Sequence, residues 1–361
     1  TEPATTYAYQ FWADTTTGQL KIRNAANNAF ITLMELDGTM LMEDGSASAP
    51  GLAFASDTNT GILRPSADSI AFATGGNSRV VISSTGAVTI EDDDLEVQGI
   101  TVGRGAGDVA TNTVVGNTVA IGYQALKDNN DTGYQNTAVG YQALKSNTTG
   151  DSNTGIGREA LEANTTGDSN TAIGSGALDA NTTGGNNTAV GISALGANTD
   201  GGGNVAVGRQ ALLTMTSGNQ NTAIGAEALQ KHESGNSNTA VGYQALEENT
   251  TGTQNVAIGA NALDANTTAI RNTGVGASAL GGNTTGTQNT GLGYAALFNN
   301  TTATSNTAVG YQCLLSNTTG ANNVAVGSNA LDANTTGGQN VAIGLAAHAA
   351  QTADNNTAVG T

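Results

Sequence analysis

The chain is poor in several residue types from which other proteins build cores and catalytic sites. It has one cysteine in 361 residues, so it cannot form a disulfide within itself. Aromatic residues make up only 4%, and much of the apolar content is alanine. Two histidines leave no credible Ser/His/Asp arrangement, and no apolar run approaches the roughly 20 residues of a membrane-spanning helix. Three prolines against 50 glycines, without a Gly-X-Y period, indicate many turns and exclude collagen.

Positive charge is also scarce. The sequence has 11 Lys and Arg against 29 Asp and Glu, which gives a formal net charge of −18, and the pI is about 4.1. Such a surface binds nucleic acid poorly and is repelled by anionic membranes. We therefore expect no nucleic-acid partner and no membrane insertion.

The C-terminal two-thirds of the chain consist of thirteen 17-residue repeats in unbroken register. A short fixed period indicates a repeat architecture, in which each repeat buries its apolar face only by stacking on its neighbours. We number the positions 1 to 17 within the first repeat, Asn136–Ser152. Position 1 is asparagine throughout: Asn136, Asn153, Asn170, Asn187, Asn204, Asn221, Asn238, Asn255, Asn272, Asn289, Asn306, Asn323 and Asn340.

Positions 2 to 5 have the alternation of a β-strand. Position 2 is Thr or Val, position 3 is Ala or Gly, position 4 is Val, Ile or Leu, and position 5 is Gly. Successive side chains of a strand point to opposite faces, so we expect the larger apolar residues at positions 2 and 4 to face the interior. Position 3 would then face outward, where only the smallest residues allow a second wall or a neighbouring chain to approach.

The rest of the repeat predicts a second buried segment and a turn. Position 8 is Ala and position 9 is Leu in all repeats but one each, while positions 12 to 15 usually read Asn-Thr-Thr-Gly, which favours a turn. Two short strands and two turns per repeat predict a parallel β-solenoid, with stacked asparagines at positions 1 and 12 forming hydrogen-bonded ladders. Helical repeats are the competing interpretation, but their repeats are about 33 residues or longer, and Gly and Thr-Thr disfavour helix.

Four regions follow from these patterns. Residues 1–45 predict a small β module, a possible attachment region, and residues 46–100 a β linker module. Residues 101–135 are a transition with imperfect repeats, and residues 136–361 are the solenoid shaft. Glu91–Asp94 is either a cation site or a solvated boundary.

The repeat resembles those of bacteriophage tail fibre proteins in its Asn-Thr-Ala-Val-Gly-x-x-Ala-Leu-x-x-Asn-Thr-Thr-Gly pattern. Its first eight positions are also similar to the head repeats of trimeric autotransporter adhesins, which form parallel β-rolls. Phe54–Ile62, Ser69–Gly76, Phe11–Thr15 and Leu20–Ala25 resemble linker modules of phage tail fibres. Together the repeats and these four segments cover most of the chain.

This resemblance implies a structural fibre protein that acts as a stiff spacer and host-surface adhesin. It implies a homotrimer, with virion or baseplate proteins at the N-terminal side and a host-surface glycan or protein at the distal end. The expected location is the virion, or alternatively the extracellular space or cell surface if the chain is a non-viral filament subunit or bacterial adhesin. The resemblance also implies a self-cleaving chaperone after Thr361, where the array stops within a repeat.

Apart from the open interpretation of Glu91–Asp94, nothing in the sequence predicts an enzyme, a cofactor or a metal site. His232 replaces the asparagine of position 12, His348 the leucine of position 9 and Cys313 the alanine of position 8. The simpler interpretation of each is that it takes the structural place of the usual residue. Gly103–Gly107 lacks the Lys-Ser/Thr of a phosphate-binding loop. The Asn-Thr-Thr segments are glycosylation sequons, but they are first of all typical of turns.

Three further functions stay open at this stage. Recurring tyrosines at position 6 would stack between neighbouring repeats and provide surface glycan contacts, or they are plain surface or interchain residues: Tyr123, Tyr141, Tyr243, Tyr294 and Tyr311. Threonine columns at positions 13 and 14 would suit ice binding if that turn were flat. A polysaccharide depolymerase would need paired carboxylates, and the acidic residues Glu159, Glu162 and Asp179 occupy variable positions without a recurring pair.

Overall fold

The computed structural model describes residues 11–23, 30–35, 44–54, 56–85, 88–90, 95–97, 100–102, 118–128, 135–348 and 353–360. Across these residues the chain is all-β, without a helix. It divides into two compact units, Thr1–Asp93 and Asp94–Thr361.

The first unit contains three antiparallel sheets. One has the order β1-β2-β3 (Phe11–Asp14, Gln19–Arg23, Phe30–Glu35), and a two-stranded ribbon pairs β4 (Gly45–Ser46) with β5 (Ala49–Pro50). The third has the order β10-β9-β8-β7-β6, formed by β6 (Leu52–Phe54), β7 (Asp57–Leu63), β8 (Ile70–Thr74), β9 (Asn77–Ile82) and β10 (Val88–Ile90). Its small core is Leu63, Ala71 and Ala73, with Ala47 and Val81 packed against it.

The second unit is a single 17-stranded sheet that begins with antiparallel pairing and then becomes parallel. β11 (Leu95–Val97) pairs with β12 (Ile100–Val102), which pairs antiparallel with β13 (Val119–Ile121). Every later strand joins the one before it in parallel: β14 Thr137–Val139, β15 Thr154–Ile156, β16 Thr171–Ile173, β17 Thr188–Val190, β18 Val205–Val207, β19 Thr222–Ile224, β20 Thr239–Val241, β21 Val256–Ile258, β22 Thr273–Val275, β23 Thr290–Leu292, β24 Thr307–Val309, β25 Val324–Val326, β26 Val341–Ile343 and β27 Thr357–Val359. The predicted parallel β-solenoid with 17-residue coils is therefore confirmed.

Each coil has one strand, so the expectation of two strands per repeat was wrong. Only positions 2 to 4 are extended, and turns and bends fill the remainder of the coil. Those segments are still bonded from coil to coil: the Leu144 N–H donates to Ala160 O at 2.9 Å, and the Thr148 N–H donates to Thr165 O at 2.9 Å. Stacking thus satisfies backbone groups around the coil without a second regular strand.

The orientation predicted for the strand was also wrong. Position 3 is fully buried, as in Ala138, Ala172 and Ala240, whereas positions 2 and 4 are never buried in the strands from β13 to β27. Position 3 faces the coil interior, but it has room only for a methyl group or a hydrogen because the leucine of position 9 already occupies that space. A Cβ built on Gly155, also at position 3, would lie 3.3 Å from Leu144 Cγ.

The core is a column of alanines and leucines along the coil axis. Alanines at positions 3 and 8 and leucines at position 9 are fully buried through most of the array. The position-9 leucines have left-handed backbone, for example φ 51° at Leu144, which L-residues adopt at a cost. Gly140 at position 5 has φ 137°, and a Cβ there would lie 2.4 Å from Gly157 O, which explains why this position is always glycine.

Candidate interaction surfaces

The position-1 asparagines form a buried column that joins each coil to the next. The Asn153 N–H donates to Asn136 Oδ1 at 2.9 Å, and Asn153 Nδ2 donates to Gly167 O at 2.7 Å. The thirteen asparagines predicted for this column all lie within 2% exposure. These amides therefore hold the stack together and are closed to ligands.

The position-12 asparagines form a second buried column. Asn164 Nδ2 donates to Asn147 Oδ1 at 2.8 Å and to the Gly167 carbonyl oxygen at 3.0 Å. Because Asn147 and Asn164 are fully buried, the sequons that begin at this position are inaccessible in the folded coils.

Two substitutions interrupt this second column. Met215 occupies position 12 after Asn198, and Asn198 Oδ1 is buried without a hydrogen-bond partner. One coil later, His232 Nε2 lies 2.9 Å from Gly235 O, and Asn249 Nδ2 lies 2.9 Å from His232 Nδ1. His232 therefore carries its proton on Nε2 and accepts at Nδ1, and burial lowers the pKa of this imidazole.

The remaining unusual side chains also have structural positions. Cys313 is fully buried, its Sγ donates to Ala330 O at 3.5 Å, and burial raises the pKa of its thiol to about 12. His348 occupies the leucine position with φ 55°. The two histidines lie seven coils apart, so they do not form a common site.

The outward side chains of the strands make a continuous uncharged surface. We call positions 2 and 4 of β13 to β27 the strand stripe; it contains only Thr, Val, Ile and Leu. Ile173 and Ile258 on it are 39% and 41% exposed. Fifteen strands spaced about 4.8 Å apart give the stripe a length of about 67 Å.

The position-6 tyrosines form a second exposed column. Tyr123 stacks on Tyr141 with ring centroids 5.5 Å apart, and Tyr294 stacks on Tyr311 with centroids 5.4 Å apart. Tyr243 stands between Ala226 and Ala260 of the adjacent coils. The structure thus brings four of the five predicted tyrosines together as two pairs.

The acidic residues Glu159, Glu162 and Asp179 lie close enough for the charges of the two glutamates to raise the pKa of Asp179, after the larger effect of burial. Glu162 lies 3.2 Å from Lys145 Nζ, and Glu159 lies 2.6 Å from Arg158 Nη2. Burial raises the pKa of Asp179, but a raised pKa alone does not make a general acid. Within the described residues no group of three or more His, Cys, Asp or Glu could hold a metal ion.

The threonine columns do not form a flat double row. At position 13, Thr148 Oγ1 donates to Thr165 O at 2.9 Å, so this hydroxyl ties adjacent coils together. At position 14, Thr149 is exposed. The two threonines therefore differ in exposure, and the position-13 hydroxyl is engaged in a bond to the next coil.

A shallow groove of about 550 Å³ lies over positions 16 and 17 of four coils. Hydrogen bonds between adjacent coils run along it: the Gly202 N–H donates to Asn219 Oδ1 at 2.8 Å, and the Asn219 N–H donates to Asn236 Oδ1 at 2.7 Å. The glycines of the turn give the groove its depth: Gly185, Gly202 and Gly203.

Comparison of the chain with protein-family models, curated proteins and solved structures found no match. No helix in the described part of the chain is long and apolar enough to cross a membrane. Two segments singled out in the sequence, Glu91–Asp94 and Gly103–Gly107, lie outside the described residues.

Proposed function

We propose that the protein is a structural fibre subunit whose solenoid is a shaft that assembles side by side through the strand stripe. The observation that carries this proposal is a parallel sheet with one uncovered, uncharged face that has Val, Ile or Leu at every position 4. Parallel sheets are almost always covered on both faces, and here the coil interior covers only the face at position 3. We infer that a partner covers the opposite face.

The size and charge of the stripe favour another copy of the same surface. With a width of about 10 Å and a length of about 67 Å, the stripe covers about 700 Å². Its position-4 column is aliphatic throughout, whereas its position-2 column is threonine in ten of the fifteen strands. Its lack of charge contrasts with the net charge of −18 on the whole chain. An uncharged stripe allows several acidic chains to meet along one line while their carboxylates remain in water.

A homotrimer is the assembly that we propose. Three chains meeting at a common axis would bury about 2,100 Å² in total, which is about 700 Å² for each of the three pairwise contacts. Each contact is smaller than the roughly 1,000 Å² of an independent pairwise interface, so the three contacts would hold only as a closed set. The resemblance of the repeat to phage tail fibres and trimeric adhesin heads supports the same stoichiometry. The first unit would then connect to virion or baseplate proteins, and the far end of the shaft would present a host-surface contact.

The native mass of the full chain tests this proposal. The account predicts a species of 107 kDa, three times the chain mass of 35.7 kDa, and it predicts that the species persists in SDS at room temperature. A species of 35.7 kDa in native buffer would contradict side-by-side assembly and leave a self-contained solenoid.

The non-viral alternative, an extracellular filament subunit or bacterial cell-surface adhesin, uses the same assembled shaft. Electron microscopy of the purified chain separates these possibilities. Discrete rods of one length fit a fibre that attaches to a particle, whereas head-to-tail growth into long filaments would favour the filament subunit.

A further inference from the structure

Between two of the exposed tyrosines, the position-6 column contains only methyl side chains. Tyr243 and Tyr294 lie three coils apart, with Ala260 and Ala277 between them. We call these four residues the tyrosine slot. Both rings are about half exposed, at 51% for Tyr243 and 52% for Tyr294.

The stacked pair shows how the slot walls are oriented. Tyr294 and Tyr311 are adjacent along the coil axis, with an interplanar angle of 14°. One face of the Tyr294 ring is therefore covered by Tyr311, and the other face is directed toward Ala277. Tyr243 has the same place in its coil, next to Ala260, so its ring can form the opposite wall.

The dimensions of the slot suit rings rather than a flat protein surface. Three coil steps of about 4.8 Å separate the two walls by about 14 Å. A ring in van der Waals contact with an aromatic face lies about 3.5–4.0 Å from it. The slot can therefore hold one ring against each wall, with space between them.

Polar side chains border the slot at position 7. Gln244 Nε2 donates to Glu227 Oε2 at 3.0 Å, and Asn261 Nδ2 donates to Gln244 Oε1 at 3.3 Å. A primary amide has two N–H donors and an oxygen with two lone pairs, so this row has capacity beyond those bonds. Ser278 continues the row beside Ala277.

We propose that the tyrosine slot binds a neutral oligosaccharide. A pyranose ring has an apolar C–H face, which fits the negative face of an aromatic ring, and a polar hydroxyl edge, which fits amides and a serine hydroxyl. Aromatic walls with a few convergent polar groups are typical of small-ligand sites. Acidic sugars are disfavoured because Glu247 and Asp264 lie on coils of the slot and Glu227 on the preceding coil, and because the whole chain is acidic.

This proposal rests on the proposed role in host attachment and names a class of ligand for it. The two are tested separately: the native mass reports assembly, whereas sugar binding reports the slot. A monomeric chain that still bound sugar would contradict the proposed fibre assembly but support the proposed sugar site.

The array itself supplies a variant that should fill the slot without unfolding the coil. Ala277→Tyr places at position 6 the residue that Tyr294 and Tyr311 already provide there, and it covers the open face of Tyr294. The matched control, Ser175→Tyr, adds a tyrosine at the same position in a remote coil. Circular dichroism and native mass should be unchanged for both variants.

The experiment is a saturation-transfer NMR and calorimetric titration of the full chain. The probes are neutral oligosaccharides of glucose, galactose, mannose and N-acetylglucosamine, with oligomeric sialic acid as the acidic comparison. We expect at least one neutral probe to bind, Ala277→Tyr to weaken it at least tenfold, and Ser175→Tyr to change it less than twofold.

Two results would overturn the proposal. One is the absence of binding by every neutral probe at about 10 mM, a concentration chosen to detect affinities of about 1 mM. The other is binding that Ala277→Tyr leaves unchanged. If Ala277→Tyr changed the native mass instead, the tyrosine column would be an interchain contact.

Discussion

The side-chain oxygen of Asn198 lacks a hydrogen-bond donor because Met215 occupies the next place in its column. Restoring an asparagine there does not by itself repair the ladder. The amide introduced by Met215→Asn would donate to Asn198, but its own oxygen would then face His232, whose single N–H is directed at Gly235 O. Met215 and His232 are therefore a matched pair, since a thioether needs no donor from the histidine.

We predict that Met215→Asn and His232→Asn stabilise these coils only in combination. The double variant completes the ladder and should gain about 1–3 kcal/mol, the cost of a buried unsatisfied group, whereas each single change should be nearly neutral. Hydrogen exchange of the segment 198–235 measures this gain locally, which matters because long arrays do not unfold in two states.

A control for the ladder comes from an intact part of the same column. Asn300→Met should remove the donor that Asn283 Oδ1 now receives at 2.8 Å and destabilise its coil by about 1–3 kcal/mol. Additive effects of Met215→Asn and His232→Asn would refute the coupling between these two positions.

The second prediction tests which face of the strand is inside. Ala240→Val adds volume at a fully buried position and should cost about 1–3 kcal/mol by overpacking. Val241→Ala, at the next and outward position on the strand stripe, leaves the coil interior unchanged and should cost less than Ala240→Val. Exchange protection of the coil that contains both residues measures the two effects, and the reverse ranking would contradict the observed orientation.

The reason why sequence analysis misassigned these faces is physical. Alternation shows that a strand has two faces, but it does not show which one is inside. The usual rule places large apolar residues inward. In this thin coil the leucine of position 9, such as Leu144, fills the interior, so position 3 has room only for Ala or Gly.

Other features were accessible from the repeat alone. The period, the alanine–leucine core, the asparagine columns and the neighbouring tyrosines follow from which residue types recur at fixed spacing. The left-handed backbone at Gln142 and Leu144, with φ 55° and 51°, could not be predicted from the repeat, because neither residue type favours this conformation. Hydrogen bonds to the adjacent coils hold these residues in place, as in the Gln142 N–H donating to Tyr123 O at 2.8 Å.

The third prediction concerns pH. Burial holds the pKa of His232 below its ordinary value, which is about 6.5 in the unfolded chain. Neutral His232 is therefore fully compatible with the fold above about pH 6.5. Below that pH His232 is protonated in the unfolded chain but not in the folded coil. The free energy of unfolding therefore falls as the pH drops toward the folded-state pKa.

Comparison with His232→Asn isolates this contribution, because all other titrating groups are common to the two proteins. We expect the melting temperature of the variant, relative to that of the native chain, to rise between about pH 7.5 and about pH 5. A difference in melting temperature that is independent of pH would show that His232 does not titrate differently in the two states.

The most direct test of the account is whether charge on the strand stripe separates the chains. Val241→Lys with Val275→Lys places two cations on the stripe, and Thr251→Lys with Thr285→Lys places them on exposed turns of the same coils. Sedimentation of both variants, with circular dichroism to establish that the solenoid is intact, is the measurement. We predict 35.7 kDa chains for the stripe variant and an unchanged trimer for the turn variant; an unchanged trimer for the stripe variant would contradict assembly through this surface.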